Sequence, residues 1–262
     1  MINLSAIMRK LLITILTGLT FYFGYGQAEL KPDYDKAVKL LQAENYQEAS
    51  KVFSDVLSKA TDDKLKKFCF IYRAFSYNGL GDFKKAIADL DNAIKLDTSD
   101  LASYTDRGKA KGYADDLDGA KQDFHYILTK DSTGDQGQAA LYYLAKIAYK
   151  QGQFDQSIKY YDRYILFVPD DPEVYFNRGA AKDMIMDPAG SIRDYDKAIQ
   201  LDSNYTEAYA NRGVAKINLQ GIKGKIQLTK EQAADACADL KKEKQLGDNT
   251  VDDMIFIHCD KK

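Results

Sequence analysis

One 34-residue pattern constrains this chain more than anything else in it. Pro172 to Tyr205 reads PEVYFNRGAAKDMIMDPAGSIRDYDKAIQLDSNY. Its first half has helical spacing through Tyr175, Gly179 and Ala180. Its second half opens at Asp187-Pro188, where the carboxylate suits an N-cap and proline suits the first helical position, and runs on through Ile192, Tyr195, Ala198 and Ile199. Neither helix has enough apolar surface to bury alone, so the unit needs neighbours. The chain supplies them. Units in this register start at Leu30, Lys67, Leu101, Gln138, Pro172 and Thr206, at spacings of 37, 34, 37, 34 and 34 residues. Three extra residues therefore fall near 64–66 and again near 134–137.

The second half of each unit is the more self-similar. NYQEASKVFSDVL from Asn45, DFKKAIADLDNAI from Asp82, QFDQSIKYYDRYI from Gln153 and DPAGSIRDYDKAI from Asp187 share one apolar stripe at helical spacing. Ala49, Ala86, Ala120, Ser157, Ser191 and Ala236 recur at one position, where small side chains let two helices approach closely. These features predict an all-α chain of helix-turn-helix units near 30–63, 67–100, 101–134, 138–171, 172–205 and 206–248, with a capping helix over 249–262. In the sixth unit an expected loop lies between Leu219 and Thr229, and Thr229 to Gln232 reads as the capping box of the next helix.

The pattern resembles the tetratricopeptide repeat family across nearly the whole chain after its first residues. The fourth unit carries the resemblance in Leu141, Leu144, Ala145, Gly152, Phe154, Tyr161 and Pro169, and the fifth in Tyr175, Gly179, Tyr195 and Ala198. Thr98 and Ser203 stand where the family has its terminal proline. The resemblance implies a right-handed superhelical solenoid whose first helices line a concave groove. Carried onto this chain, that groove would present Phe68, Ile71, Phe75 and Asn78, then Thr105, Lys109 and Tyr113. It would continue with Tyr142, Lys146, Tyr149 and Lys150, then Phe176, Asp183 and Met184. Aromatic rings beside lysines suit an extended peptide with carboxylates or carbonyls for the ammonium groups. The other reading of the aromatics is inter-repeat core. A protein or peptide partner is thus expected, with a small-ligand or glycan receptor as the alternative.

Four units place arginine where the family has leucine: Arg73, Arg107, Arg178 and Arg212. Aspartate stands in step as Asp89, Asp123, Asp194 and, beyond the sixth unit's insertion, Asp239, whereas the fourth unit has Leu144 and Tyr160. A carboxylate in step each time favours Arg–carboxylate pairs between helices over a row of arginines awaiting an acidic ligand.

At the amino terminus Arg9-Lys10 precede an apolar run from Leu11 to Phe23, followed by Gly24-Tyr25-Gly26-Gln27-Ala28. This reads as a signal peptide over 1–26, cleaved after Gly26 or after Ala28, and so as export to the periplasm or exterior; a single membrane anchor is the rival. Export bears on the three cysteines, since an odd count allows at most one internal bridge. Cys237 and Cys259 are expected to pair, with two buried thiols as the alternative. Cys69, between Phe68 and Phe70, reads as a buried free thiol.

A net charge of -2 gives no basic footprint for nucleic acid. His125 and His258 are isolated, and two candidate ligands at His258-Cys259 do not make a metal site. There is no phosphate-cradling glycine loop and no acid/base constellation. The sequence asks for no cofactor and no metal, and it reads as a binding protein, not an enzyme.

Overall fold

The structure, a computed structural model, describes residues 27–222 and 230–247 together with Ile255 and Cys259. The expected signal peptide, residues 223–229 of the expected loop, His258, and the expected cap apart from Ile255 and Cys259 lie outside the described residues. Twelve α-helices and no strand occur among the described residues, in two compact units that meet in sequence at Ser132 and Thr133. The first unit holds α1 (Lys31–Gln42), α2 (Tyr46–Lys59), α3 (Asp63–Gly79), α4 (Phe83–Leu96), α5 (Leu101–Tyr113) and α6 (Leu117–Lys130). The second holds α7 (Asp135–Lys150), α8 (Phe154–Ile165), α9 (Pro172–Met184), α10 (Pro188–Leu201), α11 (Thr206–Ile222) and α12 (Lys230–Gln245). Within each unit every helix packs on the next in sequence. None of the described helices is long and apolar enough to cross a membrane.

Five of the hairpin turns share one device. A residue with positive φ stands just ahead of the second helix's N-cap: Glu44, Gly81, Asp115, Gly152 and Met186. It ends the first helix in the left-handed region. In four of these turns, the side chain of Asn45, Asp82, Asp116 or Asp187 then accepts a hydrogen bond from the backbone N–H three residues on.

The extra residues at two junctions do not form bulging loops. They lengthen α3 to 17 and α7 to 16 residues, against 13 for α5 and α9. A growing helix gains one hydrogen bond per residue once nucleated, so extension is the cheaper use of extra chain. The same physics corrects one expectation: residues 220–222 belong to α11 and not to the loop, since no proline stops the helix there.

All six of the small residues at the helix crossing are buried. The crossings are tight enough that Gly108 and Gly179 have no room for a side chain. A Cβ on Gly108 would stand 2.8 Å from the Phe124 ring, and one on Gly179 would stand 2.8 Å from the Tyr195 ring. In the first unit Tyr34, Phe53 and Tyr72 meet with centroids 5.9–6.2 Å apart and close the core of the first two hairpins. Cys69 is buried beside them, and burial pushes its thiol up to about 12, so it stays protonated and inert at neutral pH.

Candidate functional site

The arginines occupy the seams between helices. Arg178 on α9 donates from Nε and one terminal nitrogen to both carboxylate oxygens of Asp194 on α10, at 2.9 and 2.6 Å, and from the other to Asp162 on α8 at 2.7 Å. Arg107 does the same to Asp123 and Asp91, and Arg212 to Asp239 and Asp196. Arg73 grips Asp89 in the same fork and uses Ser54 for its third contact. Each guanidinium therefore ties three helices. Burial works against its charge, but the aspartate hydrogen bonds win and hold its pKa above the ordinary arginine value.

Two further partners follow a sequence rule. Three residues before each arginine stands an aromatic ring, Phe70, Tyr104, Tyr175 or Tyr209, with the guanidinium 5.3–5.7 Å from its centroid. Four residues after three of them stands a lysine, and Lys111, Lys182 and Lys216 meet the same aspartate at 2.8–2.9 Å. One helical turn either way places all these groups on one side of the helix. With every guanidinium nitrogen engaged by a side chain of a neighbouring helix, these arginines serve the fold.

The aromatic and lysine positions of the first helices divide between the two units. In the first, Phe75 leans on Tyr72 and packs against the core, while the side-chain oxygen of Asn78 is buried without a hydrogen-bond partner. Lys109 pairs with Asp106 at 3.2 Å. Tyr113, at the end of α5, is 54% exposed and stacks on Phe83 at 5.5 Å.

In the second unit Tyr142 and Lys146 come together around a residue that the repeat pattern does not single out. Glu173, in the first turn of α9, accepts a hydrogen bond from the Tyr142 hydroxyl and another, at 3.5 Å, from Asn177. Lys146 reaches the Tyr142 oxygen at 3.1 Å and the Glu173 carboxylate at 3.6 Å, with its ammonium 5.0 Å from the Tyr142 ring centroid. Tyr164 lies 5.9 Å from Tyr142 and donates to Asp171 at 3.3 Å. Phe176 meets Tyr205 at 5.0 Å. Burial, followed by the Glu173 hydrogen bond, holds the Tyr142 phenol above its ordinary pKa, and burial likewise raises the Asp171 carboxyl. Tyr149, Lys150 and Met184 stand at the turn ends of α7 and α9, where Met184 is 53% exposed. Asp183 accepts the Tyr195 hydroxyl at 2.7 Å and is thus engaged by its own hairpin.

At the end of the second unit a disulfide joins Cys237 on α12 to Cys259, with Cα atoms 5.7 Å apart. Cys259 packs beside Ala210, Leu240 and Ile255. His125 stands beside Lys121, and burial and that charge lower its pKa. Among the described residues no group of three or more His, Cys, Asp or Glu is arranged to hold a metal ion.

Helical hairpins that recur with small residues at each crossing define a helical-repeat protein. The tetratricopeptide repeat model matches residues 113–175. Solved structures of the same fold include the C-terminal part of a tetratricopeptide repeat-containing protein from Cytophaga hutchinsonii, with a TM-score of 0.67 and 20% identity, covering 81% of this chain and 85% of that one. A tetratricopeptide repeat protein from Parabacteroides merdae follows at TM-score 0.57 and 21% identity, over 84% and 80% of the two chains. YrrB, described as a tetratricopeptide repeat protein with an unusual peptide-binding site, has a TM-score of 0.58 and 19% identity, over 80% of this chain and 98% of its own. No curated protein sequence matches the chain. The chain thus has the fold of tetratricopeptide repeat proteins, and its residues 113–175 match that family's model.

Proposed function

We propose that this chain is a non-enzymatic, exported scaffold that holds an extended peptide segment or a partner protein against the first helices of its repeats. The observation that carries the reading is the set of large apolar side chains left open at first-helix ends. Tyr113 in the first unit, and Tyr149 and Met184 in the second, are each more than a third exposed. Tyrosine rings fixed on rigid hairpins anchor peptides at little entropic cost, and a methionine thioether adapts to what it covers. The peptide-binding site named for YrrB supports the same use of this fold. Export is supported by Arg9-Lys10 ahead of the apolar run from Leu11 to Phe23, and by a disulfide of the kind that persists in oxidising compartments.

Affinity capture from crosslinked cell envelopes tests this, with wild type beside a Tyr113→Ala, Tyr149→Ala, Met184→Ala variant. These side chains are exposed enough for truncation to spare the fold. A protein retained by wild type and lost by the variant supports the scaffold. Unchanged capture removes these residues from the site. If no protein is retained, the tyrosine-rich surface becomes a candidate for a small ligand or glycan.

A further inference from the structure

The cluster around Glu173 has a charge opposite to the one its lysine suggests. Asp171 and Glu173 lie at the start of α9, and Asp202 and Glu207 flank Tyr205 ahead of and within α11. Burial comes first in raising the Tyr205 phenol, and all four carboxylates add to it. Lys146 is the cation that the structure places in contact with this group, and its charge is already engaged by Glu173 and by the Tyr142 ring.

From this geometry we infer that the face formed by Tyr142 and Tyr164 with Asp171 and Glu173 takes an arginine or lysine side chain of a basic partner segment. The inference deepens the scaffold reading and rests on it. Lys146 displays the chemistry in place: an ammonium over a tyrosine ring, within reach of a carboxylate. Glu173 is held by Tyr142 and Asn177 yet keeps 35% of its side chain open, and Asp171 is fixed as the N-cap of α9, accepting from the Glu173 amide. Fixed carboxylates between aromatic rings meet a guanidinium without reorganising. An acidic segment would bring like charge against Asp171 and Glu173, which disfavours it.

The test is selection of a random short-peptide display library on the purified full chain, comparing wild type with Glu173→Gln and Lys146→Met. Melting curves would confirm that each variant folds. The expected result is enrichment of Arg- and Lys-containing peptides on wild type. Binding of those peptides should be weakened about tenfold by Glu173→Gln, the loss expected for one charge-assisted contact, and strengthened by Lys146→Met, which vacates the ring. Enrichment of acidic or uncharged peptides, no enrichment, or a basic preference indifferent to Glu173→Gln would each overturn the inference. A weaker basic preference in Lys146→Met would do the same. The scaffold reading is judged separately by the capture experiment. If capture depends on the exposed side chains while the peptides are not basic, the scaffold stands and this face fails.

Discussion

At the residue scale, glycines mark where helices touch. Gly179 lies under the Tyr195 ring, which is buried and held at its far end by the hydrogen bond to Asp183. The ring cannot swing aside, so Gly179→Ala is expected to destabilise the second unit by about 1–3 kcal/mol, the range for overpacking a filled site. Gly112, on α5, would meet nothing within 4 Å, and Gly112→Ala should instead gain roughly 0.5–1 kcal/mol from helix propensity and a less flexible unfolded chain. Urea unfolding of the two variants checks the contrast; equal effects would refute the packing argument. Positions of this kind were legible in the sequence because the repeat aligns Gly179 with other small residues. Glu173 was not. An acid in the first turn of a helix is ordinarily favoured by the helix dipole alone, so its sequence position disguises a side chain that organises Tyr142, Lys146 and Asn177. Its separation of 31 residues from Tyr142, close to one repeat, was the available signal.

At the element scale, hairpins are joined to their neighbours by the arginine seams. The sequence showed half of each seam, since arginine and aspartate vary together. The third contact, to Asp91, Asp162 or Asp196, lay unread at the same sixteen-residue offset backwards, because one guanidinium serving two carboxylates is not implied by a pairwise pattern. Arg178→Leu would leave the buried Asp194 with Lys182 as its remaining cation, and a loss of about 3 kcal/mol is expected. Adding Asp194→Tyr reproduces the pair found at Leu144 and Tyr160 and should recover most of that loss. A double variant no more stable than the single one would show that the seam cannot be exchanged for apolar packing. Another charged link joins the start of α3 to the α4–α5 connection. Lys67 donates to Asp97 at 2.7 Å, and that bond, with help from Ser99, lowers the Asp97 pKa to about 2. A depressed carboxylate pKa adds stability above its unfolded value near 4, and that stability is lost as pH falls towards 2. Lys67→Met should therefore bring the Asp97 titration, followed by NMR, back towards pH 4 and flatten the acid limb of the melting-temperature profile. An unmoved titration would assign the shift to Ser99.

At the scale of the whole molecule, stability in a repeat array is a sum over hairpins and the contacts between sequence neighbours, so the ends open most easily. Among the described helices the second unit runs to α11 and α12, and there the disulfide ties α12 to Cys259. Cys237 and Cys259 are 22 residues apart in sequence, and closing a loop of that length removes enough unfolded-chain entropy to contribute about 3 kcal/mol. The bond also keeps Cys259 beside Leu240 and Ile255. Reduction should consequently act locally. Hydrogen exchange with and without reductant is expected to show amides of α11 and α12 exchanging about 100-fold faster once the bond is broken, the factor that corresponds to that free energy. Amides of α3 and α4 should keep their rates, because Cys69 is a free thiol with no bond to lose. Uniform acceleration through both units would mean that the array opens as a single cooperative block, and unchanged α11 and α12 rates would mean that apolar packing alone holds the end.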